Sequence, residues 1–403
     1  MSEEPSSAPL PPELSSAGSS SSSTATEGDA TFAAAAAALF AGDQPKKPGK
    51  RARASAPTDD TSGTLVITHA QCTQHKTHST CPERPERVHS IMTALRKAHE
   101  EGAERGAPPF AIYDMTASPA MLVQLQAQLK LLVQGEAQGG GAPGASPRLQ
   151  RTQSVAFLEG QVLPAVRAVH TAAYLEKLRA TCERLSGPAE QGRRPVRLIR
   201  NFSGVAGDTS ASRNSLSAAL CGVLAACHAV DVVIDGRRRN AFAAIRPPGH
   251  HAGANGTTAR GGGATSAEEE EPGHGAPPKA EEKCGQGFCL LNNVAIAARY
   301  ALMQHAATVK RVAIVDWDLH HGNGTEEIVR DCEEIFFASV HGAEEFYFPE
   351  TAQQLQLEPR LVNVPLPRGA PAADYVKAFD DHVVCRAARR KGRGGACLHH
   401  ADL

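Results

Sequence analysis

Hydrophobic residues recur with two different spacings between about residues 63 and 388. Short β-branched runs predict buried strands, and apolar residues spaced three or four positions apart predict helices. The predicted strands cover 64–69, 241–245, 312–316, 335–340 and 361–366, and the predicted helices cover 82–100, 215–233, 292–305 and 374–388. Because the two kinds of element alternate, the pattern favours an α/β fold with a parallel sheet and helices on both faces.

Histidines and aspartates follow two of these predicted strands. His250 and His251 come after the strand at 241–245, and the segment Asp316–His321 (DWDLHH) closes the strand at 312–316. In open parallel sheets, sites form beyond the carboxyl ends of the strands. We therefore expect the two clusters to lie at the same edge of the sheet and to form one site.

The residue types in these clusters indicate metal-assisted hydrolysis. Asp318 and His320 are two positions apart, so in extended backbone both side chains point to the same side. A carboxylate and an imidazole are common zinc ligands, and a catalytic zinc ion normally has three protein ligands and a water. Asp316 is either a further ligand or an outer support. One of the histidines 250–251 can serve as a general base, so the set suits hydrolysis of an amide or an ester.

Composition narrows the classes of partner. The formal net charge is −1, so nothing in the overall charge indicates direct nucleic-acid binding or attachment to a membrane surface. We see no apolar run of the roughly 20 residues that a membrane-spanning helix needs. The N-terminus lacks a signal-peptide pattern, and the ten cysteines are therefore expected to stay reduced.

Three segments are predicted to lie outside the core of the fold. Residues 1–62 are rich in Ser, Ala, Pro, Gly and Glu, which predicts a disordered tail. Its basic cluster at 46–53 (KKPGKRAR) is either a nuclear import signal or a solvated charge run, and it leads us to expect a nuclear protein that can shuttle to the cytoplasm. Segments near 135–152 and 254–284 are predicted insertions.

Four motifs together resemble the class II histone deacetylases. RPPGHHAG, GFCLLNNVAIAA and VAIVDWDLHHGNGT match in order, and CPERPER at 81–87 resembles the HPERPER segment of that family. The resemblance spans about residues 63–388. It implies the arginase/deacetylase α/β fold and zinc-dependent hydrolysis of N-acetyl-lysine to lysine and acetate. The implied partners are acetylated histone tails or other acetyl-lysine proteins, and corepressor proteins.

The resemblance also assigns roles to the two polar clusters. It places Asp318 and His320 on zinc. His251 becomes the general base, and His250 becomes the neighbouring imidazole that Asp316 stabilises.

Further assignments concern the substrate. Asn323 stands where class I enzymes carry an Asp, and an Asn at this position is the class II pattern. Gly287 and Phe288 of the GFC segment, together with Phe348, would line the tunnel for the acyl-lysine. Asp208 resembles the rim aspartate that grips the substrate backbone. A narrow aromatic slot suits the apolar stem of lysine and excludes water.

Two further ion sites follow from the sequence as open alternatives. Asp316 and Ser339 match residues around the potassium site of the family. A structural zinc site is suggested by four residues at every third position, although the first two match ordinary family positions: Cys72, His75, His78 and Cys81.

Two family motifs are absent from this chain. One resembles SAGFDAH and carries the third zinc ligand, and the other is a Gly-Gly-Tyr segment whose tyrosine stabilises the oxyanion. Residues 389–403 (RRKGRGGACLHHADL) do not resemble the next expected strand, so we expect a fold that is incomplete at the C-terminus and a chain that is weakly active or inactive and poorly soluble. The alternatives are a catalytically impaired nuclear scaffold and an acetylpolyamine deacetylase.

Overall fold

The structure is a computed structural model, and it describes residues 63–106, 108–115, 158–185, 197–200, 206–257, 287–343, 349, 351–386 and 395–400. Several sequence predictions lie outside these ranges: the tail at 1–62 with its basic cluster, the insertion at 135–152, most of the insertion at 254–284, and Phe348.

The described helices, in chain order, are α1 (Glu86–Glu104), α2 (Leu163–Arg167), α3 (Ala172–Arg184), α4 (Ser215–Ile234), α5 (Asn293–Gln304), α6 (Asn323–Val329) and α7 (Ala372–Ala378). A 3₁₀ helix covers Ala70–Gln74, and π-helical turns cover Leu158–Val162 and Phe379–Val384.

The strands are β1 (Thr64–His69), β2 (Phe110–Met115), β3 (Arg197–Arg200), β4 (Ala206–Ala211), β5 (Asn240–Ala244), β6 (Ala252–Gly253), β7 (Gly256–Thr257), β8 (Arg311–Asp316), β9 (Ile335–Gly342), β10 (Gln356–Leu357), β11 (Leu361–Leu366) and β12 (Gly395–His400).

Two parallel sheets form the centre of the fold. One has the strand order β2-β1-β5, and the other has the order β10-β11-β9-β8-β12. Apart from the antiparallel β10 at one edge, all pairs within these sheets are parallel. This confirms the predicted α/β class with a parallel sheet.

Helices cover both faces of the first sheet. Val66 packs with Val88 and Met92 of α1, whereas α4 also contacts β1 and β5. Val66 and the adjacent Ile67 are both buried, and successive side chains of a strand point to opposite faces. The strand is therefore covered on both sides, as parallel strands usually are.

Helix α4 is the most apolar helix that the structure describes. By length and composition alone it could cross a membrane, which corrects our expectation that the chain has no such run. Most of it is buried, it packs against α5 in the main apolar cluster, and it also contacts β1. It therefore has the environment of a core helix.

The start of α1 differs from the prediction. The apolar spacing predicts a helix over 82–100, but α1 begins at Glu86, with Pro85 at its N-cap, and continues to Glu104. Pro82 and Pro85 lack a backbone N–H and restrict the residue before them, so the CPERPER segment remains non-helical until Glu86. This leaves Glu83 in a loop, where its side chain turns inward.

The segment after residue 388 also differs from the prediction. Gly395–His400 forms β12, which pairs in parallel with β8 and places His400 in register with Asp316. Our expectation that this tail does not resemble a further strand was therefore wrong. The run Ala396–Leu398 is short and apolar, which is sufficient for an edge strand when a partner strand such as β8 is available.

The insertion predicted at 254–284 begins later than expected. Gly256–Thr257 forms β7, which pairs with β6 in an antiparallel ladder directly after His250 and His251. Gly256 has a positive φ, which allows the tight reversal between the two short strands. The chain on the C-terminal side of the histidine pair is therefore held in a defined turn.

Candidate active site

The two predicted clusters meet at the carboxyl ends of β5 and β8. His250 Nδ1 lies 3.0 Å from Asp316 Oδ2, and both side chains are buried. The other ring nitrogen of His250, Nε2, is 3.9 Å from Asp318 Oδ1. The ring of His250 is 3.9 Å from that of His251, centroid to centroid, so the four groups form one compact site.

His251 is oriented by a neutral acceptor. Its Nδ1 lies 2.8 Å from Asn323 Oδ1 at the start of α6. Because an amide oxygen can only accept, Nδ1 carries the proton and Nε2 carries the lone pair in the neutral ring. His251 therefore has the tautomer that a general base acting through Nε2 requires.

The predicted ligand pair lies beside these rings. Asp318 Oδ1 accepts hydrogen bonds from His320 N at 2.7 Å and from His320 Nδ1 at 3.1 Å. The rings of His320 and His251 are 5.8 Å apart, so the pair faces the proposed base. Asp316 Oδ1 accepts from Asp318 N at 3.1 Å, which holds the start of this loop.

His321, the last residue of the cluster, turns away from this site. Its Nε2 lies 2.9 Å from Glu326 Oε2, and its Nδ1 lies 2.7 Å from Thr351 Oγ1. Burial raises the pKa of Glu326, but the combined contacts with His321, Asn363 and Arg330 outweigh it and lower that pKa below its usual value. His321 therefore anchors the loop to α6, and DWDLHH contributes two predicted ligands.

A second network of hydrogen bonds positions the loop that carries His250 and His251. Asn292, the N-cap of α5, accepts a hydrogen bond from Ala295 N at 3.1 Å. Its amide nitrogen donates to Ala252 O and to Thr325 Oγ1, both at 3.0 Å. Since Thr325 N also donates to His250 O at 3.0 Å, one side chain joins the beginning of two helices to the histidine loop.

A buried ion pair supports the same loop from the other side. Arg246 Nε and Nη2 donate to the two carboxylate oxygens of Glu83 at 2.6 and 2.8 Å. Arg246 also donates to the carbonyl oxygens of Cys72 and His75, at 2.9 and 2.7 Å. Burial would raise the pKa of Glu83, but the nearby His75 ring and the hydrogen bonds from Arg246 lower it below its usual value. The pair is therefore ionised and fixes the segment that leads to His250.

Glu83, Arg246, Asn292 and Thr325 were not identified from the sequence as site residues. The signal that was available is their position inside the quoted motifs, since Glu83 lies in CPERPER and Arg246 begins RPPGHH. A charged residue at the end of an apolar strand needs a partner when it is buried. That rule points to Arg246, but it does not identify Glu83.

The predicted substrate residues Gly287 and Phe288 lie against His251. Gly287 has a φ of +103°, and a Cβ atom at this position would collide with the His251 ring. Only glycine therefore allows this approach. Phe288 is half-buried, and Asp208 Oδ1 accepts from Gly287 N at 2.8 Å. Burial raises the pKa of Asp208 despite the hydrogen bonds that it accepts from this turn.

Residues of the two other suggested ion sites, for potassium and for a structural zinc, make hydrogen bonds to protein groups. Ser339 lies in register with Asp316 on adjacent strands, and its hydroxyl is 2.9 Å from His341 Nδ1. His75 bonds Ser215, whereas His78 is exposed and bonds Thr80. Over the part of the chain that the structure describes, no group of three or more His, Cys, Asp or Glu side chains is placed to hold a metal ion.

Comparison with protein-family models identifies the group to which this fold and site belong. The model of the histone deacetylase domain matches residues 161–390, which is more than half of the chain. The chain belongs to the histone deacetylase family. The match includes His250, His251 and the whole Asp316–His321 segment, and it excludes Glu83 and the strand β1.

Individual relatives of this histone deacetylase domain carry matching names. Type-2 histone deacetylase 2 of Dictyostelium discoideum is 33% identical over 247 residues, which are 55% of this chain and 13% of that protein. Histone deacetylase 15 of Arabidopsis thaliana is 36% identical over 186 residues, which are 44% of this chain and 27% of that protein. The chain therefore spans a small part of the length of these relatives.

A solved structure supports the fold. The crystal structure of the HDA15 HD domain aligns with a TM-score of 0.53, and the alignment covers 84% of this chain and 76% of that domain. The sequence identity of 23% makes this a similarity of fold. The predicted arginase/deacetylase fold, a parallel sheet with helices, is thereby confirmed for this histone deacetylase domain.

Proposed function

We propose that this chain is a zinc-dependent protein deacetylase of class II type, which hydrolyses N6-acetyl-lysine to lysine and acetate. The observation that carries the proposal is the approach of two oriented histidines to the Asp318–His320 pair, on a histone deacetylase fold. The class II assignment rests on Asn323 beside His251 and on relatives named type-2 histone deacetylases.

The donor chemistry of the site fits zinc. Asp318 supplies a carboxylate and His320 supplies an imidazole, and both are ordinary zinc ligands. When bound, the metal lowers the pKa of a water and polarises the acetyl carbonyl. Because the described residues provide two ligands where catalytic sites usually have three, we expect weak metal binding and slow turnover.

The two histidines then have different tasks. His251, with Nδ1–H bonded to Asn323, accepts a proton from the attacking water through Nε2. His250 is paired with the Asp316 carboxylate, which stabilises the protonated form of the ring. His250 can therefore hold positive charge close to the developing oxyanion and the departing lysine amine.

The substrate would enter beside Phe288. Its half-buried ring and the backbone of Gly287 form one wall next to His251, and Phe348 is proposed as the opposite wall. Such a slot accepts the four methylene groups of lysine and excludes water from the reacting amide. Acetylated histone tails and other acetyl-lysine proteins are the proposed substrates. Asp316 and Ser339 are proposed potassium ligands.

Metal titration tests the proposed ligands directly. Cobalt(II) binding to the purified chain is followed by its visible absorption, and Asp318→Asn and His320→Ala should each weaken binding at least tenfold. His305→Ala is the control, because that imidazole bonds Asp231 in a different part of the fold. Equal cobalt affinity in all four proteins would rule out the Asp318–His320 pair as a metal site.

Paired substrates separate the enzyme alternatives. Turnover of an acetyl-lysine peptide that exceeds turnover of acetylspermidine supports the protein deacetylase, and the reverse preference would assign an acetylpolyamine deacetylase.

The two-ligand site also favours a second candidate, a catalytically impaired nuclear scaffold. Binding of corepressor proteins by a chain that takes up neither zinc nor cobalt would support that role over the enzyme.

We also propose that the protein accumulates in the nucleus. The proposal rests on the basic cluster at 46–53, which carries five Lys or Arg residues in eight positions. Replacing those five residues with alanine in a fluorescent fusion should shift the protein to the cytoplasm. An unchanged distribution would remove this segment as the import signal.

A further inference from the structure

The turn at Gly287 and Phe288 has an unusual backbone. Gly287 has a φ of +103° and Phe288 has a φ of +61°. The left-handed region is uncommon for residues other than glycine, and Phe288 and Ala352 are the two such residues in the described part of the chain. A strained conformation of this kind persists only where the surrounding structure holds it.

The group that holds this turn is the carboxylate of Asp208, on β4. Asp208 Oδ1 accepts the backbone N–H of Gly287 at 2.8 Å. Thr209 Oγ1 lies 3.4 Å from the same oxygen. Hydrogen bonds to an ionised acceptor are about twice as strong as neutral ones. The backbone N–H of Gly287, at the start of the turn, is thus bound by a residue 79 positions away.

This turn determines the surroundings of His251. The Gly287 backbone lies so close to the His251 ring that an added Cβ would collide with it. The next residue, Phe288, places its half-buried ring at the proposed wall of the substrate slot. A shift of the turn would therefore have two effects at once: it would move the Phe288 wall of the slot, and it would free the imidazole ring of His251.

We propose that Asp208 is a positioning residue, whose carboxylate locks the Gly287–Phe288 turn against His251 and so sets both the slot wall and the orientation of the base. The inference rests on the proposed function for the roles of His251 and Phe288. It differs from the expectation that Asp208 grips the substrate backbone, because the carboxylate already accepts the N–H of Gly287 in the same chain.

Hydrogen exchange tests the lock without any need for turnover. In Asp208→Ala, the amide of Gly287 should exchange about 10- to 100-fold faster, as expected for the loss of a hydrogen bond to a charged acceptor. Asp208→Asn keeps an acceptor oxygen and should restore most of the protection. Asp235→Asn removes an exposed carboxylate that pairs with Arg237, and it should leave the exchange unchanged.

The outcomes of this first arm are decisive. Exchange at Gly287 in Asp208→Ala that matches the Asp235→Asn control would overturn the proposal. Should Asp208→Ala fail to fold, Asp208→Ser carries the same prediction, because its shorter side chain brings no oxygen to the position of Asp208 Oδ1.

Kinetics separate positioning from substrate gripping. Turnover of an acetyl-lysine peptide is compared with that of N-hexylacetamide, which keeps the acetylated alkyl amine but has no peptide backbone. Asp208→Ala should lower kcat by the same factor on both substrates, and Asp208→Asn should rescue both. A loss confined to the KM of the peptide would overturn the proposal in favour of a gripping role.

The two arms distinguish this inference from the proposed function. If the parent chain hydrolyses neither substrate, the proposed function fails, whereas the exchange of the Gly287 amide still decides whether Asp208 holds the turn.

Discussion

Two neighbouring histidines occupy the centre of the site, and each is oriented through Nδ1 by a different acceptor. Asp316 brings a negative charge to His250, whereas Asn323 brings a neutral oxygen to His251. The charged partner stabilises a protonated ring, and the neutral partner leaves a ring that can accept a proton. Adjacent residues of one chemical type thus acquire different electrostatic surroundings from partners 66 and 72 positions away.

Gly287→Ala tests how close the turn must approach His251. The added Cβ would collide with the imidazole, so we expect turnover to fall about 100-fold, the effect of a misplacement of about 1 Å. Gly236→Ala is a matched control, because Gly236 also has a positive φ but a Cβ added there would meet no atom within 4 Å. The control should lose about 1–2 kcal/mol of stability and keep its turnover. Equal turnover in the two variants would contradict the steric account.

Removal of one partner of the buried Glu83–Arg246 pair should be costly. Glu83→Gln leaves Arg246 buried without a countercharge, and we expect the free energy of unfolding to fall by about 3–5 kcal/mol in denaturant titrations. Glu104→Gln is the control, because that residue is exposed at the end of α1. A loss no larger than in the control would show that the pair does not hold the histidine loop.

The same pair predicts a pH dependence. The pKa of Glu83 is lower in the folded protein than its ordinary value of 4.5, so its contribution to stability is fully present above about pH 4.5. That contribution is lost as the pH falls through the folded-state pKa. Unfolding measured at neutral and at acid pH should show a smaller acid loss in Glu83→Gln than in the parent. An identical loss would assign the acid sensitivity to other groups.

At the scale of residues, the sequence predicts which side chains lie at the candidate site better than it predicts their hydrogen-bond and ion-pair partners. Asp318 and His320 could be paired because they are two positions apart at a strand end. Glu83 and Arg246 are 163 positions apart, and no local pattern connects them. The hydrogen bond from Gly287 N to Asp208 likewise depends on how β4 lies against the turn. The spacing of residues along the sequence does not reveal that arrangement.

At the scale of elements, α4 illustrates how one helix serves the core. Leu220 is fully buried in the main apolar cluster, whereas Val233 on the same helix is 37% exposed. Leu220→Ala should lower the free energy of unfolding by about 2–5 kcal/mol, because it removes methyl groups from a packed interior. Val233→Ala should cost less than about 1 kcal/mol in the same denaturation experiment. Similar losses would indicate that α4 is not packed as described.

Elements with strong periodicity were predicted well. The strand at 361–366 is found with the same bounds. Helix α4 is one residue longer than predicted at its C-terminus, and α5 is one residue shorter at each end. The errors have local causes. Prolines delay the start of α1, and the helix predicted at 374–388 becomes the short α7 and a π-helical turn at Phe379–Val384. The short strand β12 is stabilised by pairing with β8, which sequence spacing cannot show.

At the scale of the whole molecule, the fold places its chemistry at one edge. The ends of β5 and β8 bring together histidines and aspartates from segments 66 residues apart, and α5 and α6 begin at the same edge. The family match and the fold comparison agree with this architecture. The sequence predicted the class of fold and the meeting of the two polar clusters at one edge of the sheet, because motifs at strand ends carry that information.

The most direct test of the account is zinc-dependent acetate release from an acetyl-lysine peptide, measured with enzyme in excess so that slow turnover is detected. The account predicts slow release that requires zinc, stops when a chelator is added, and is lost in His251→Ala but not in His305→Ala. Acetate release that persists in chelator or in His251→Ala, or no release above the His251→Ala background, would contradict it.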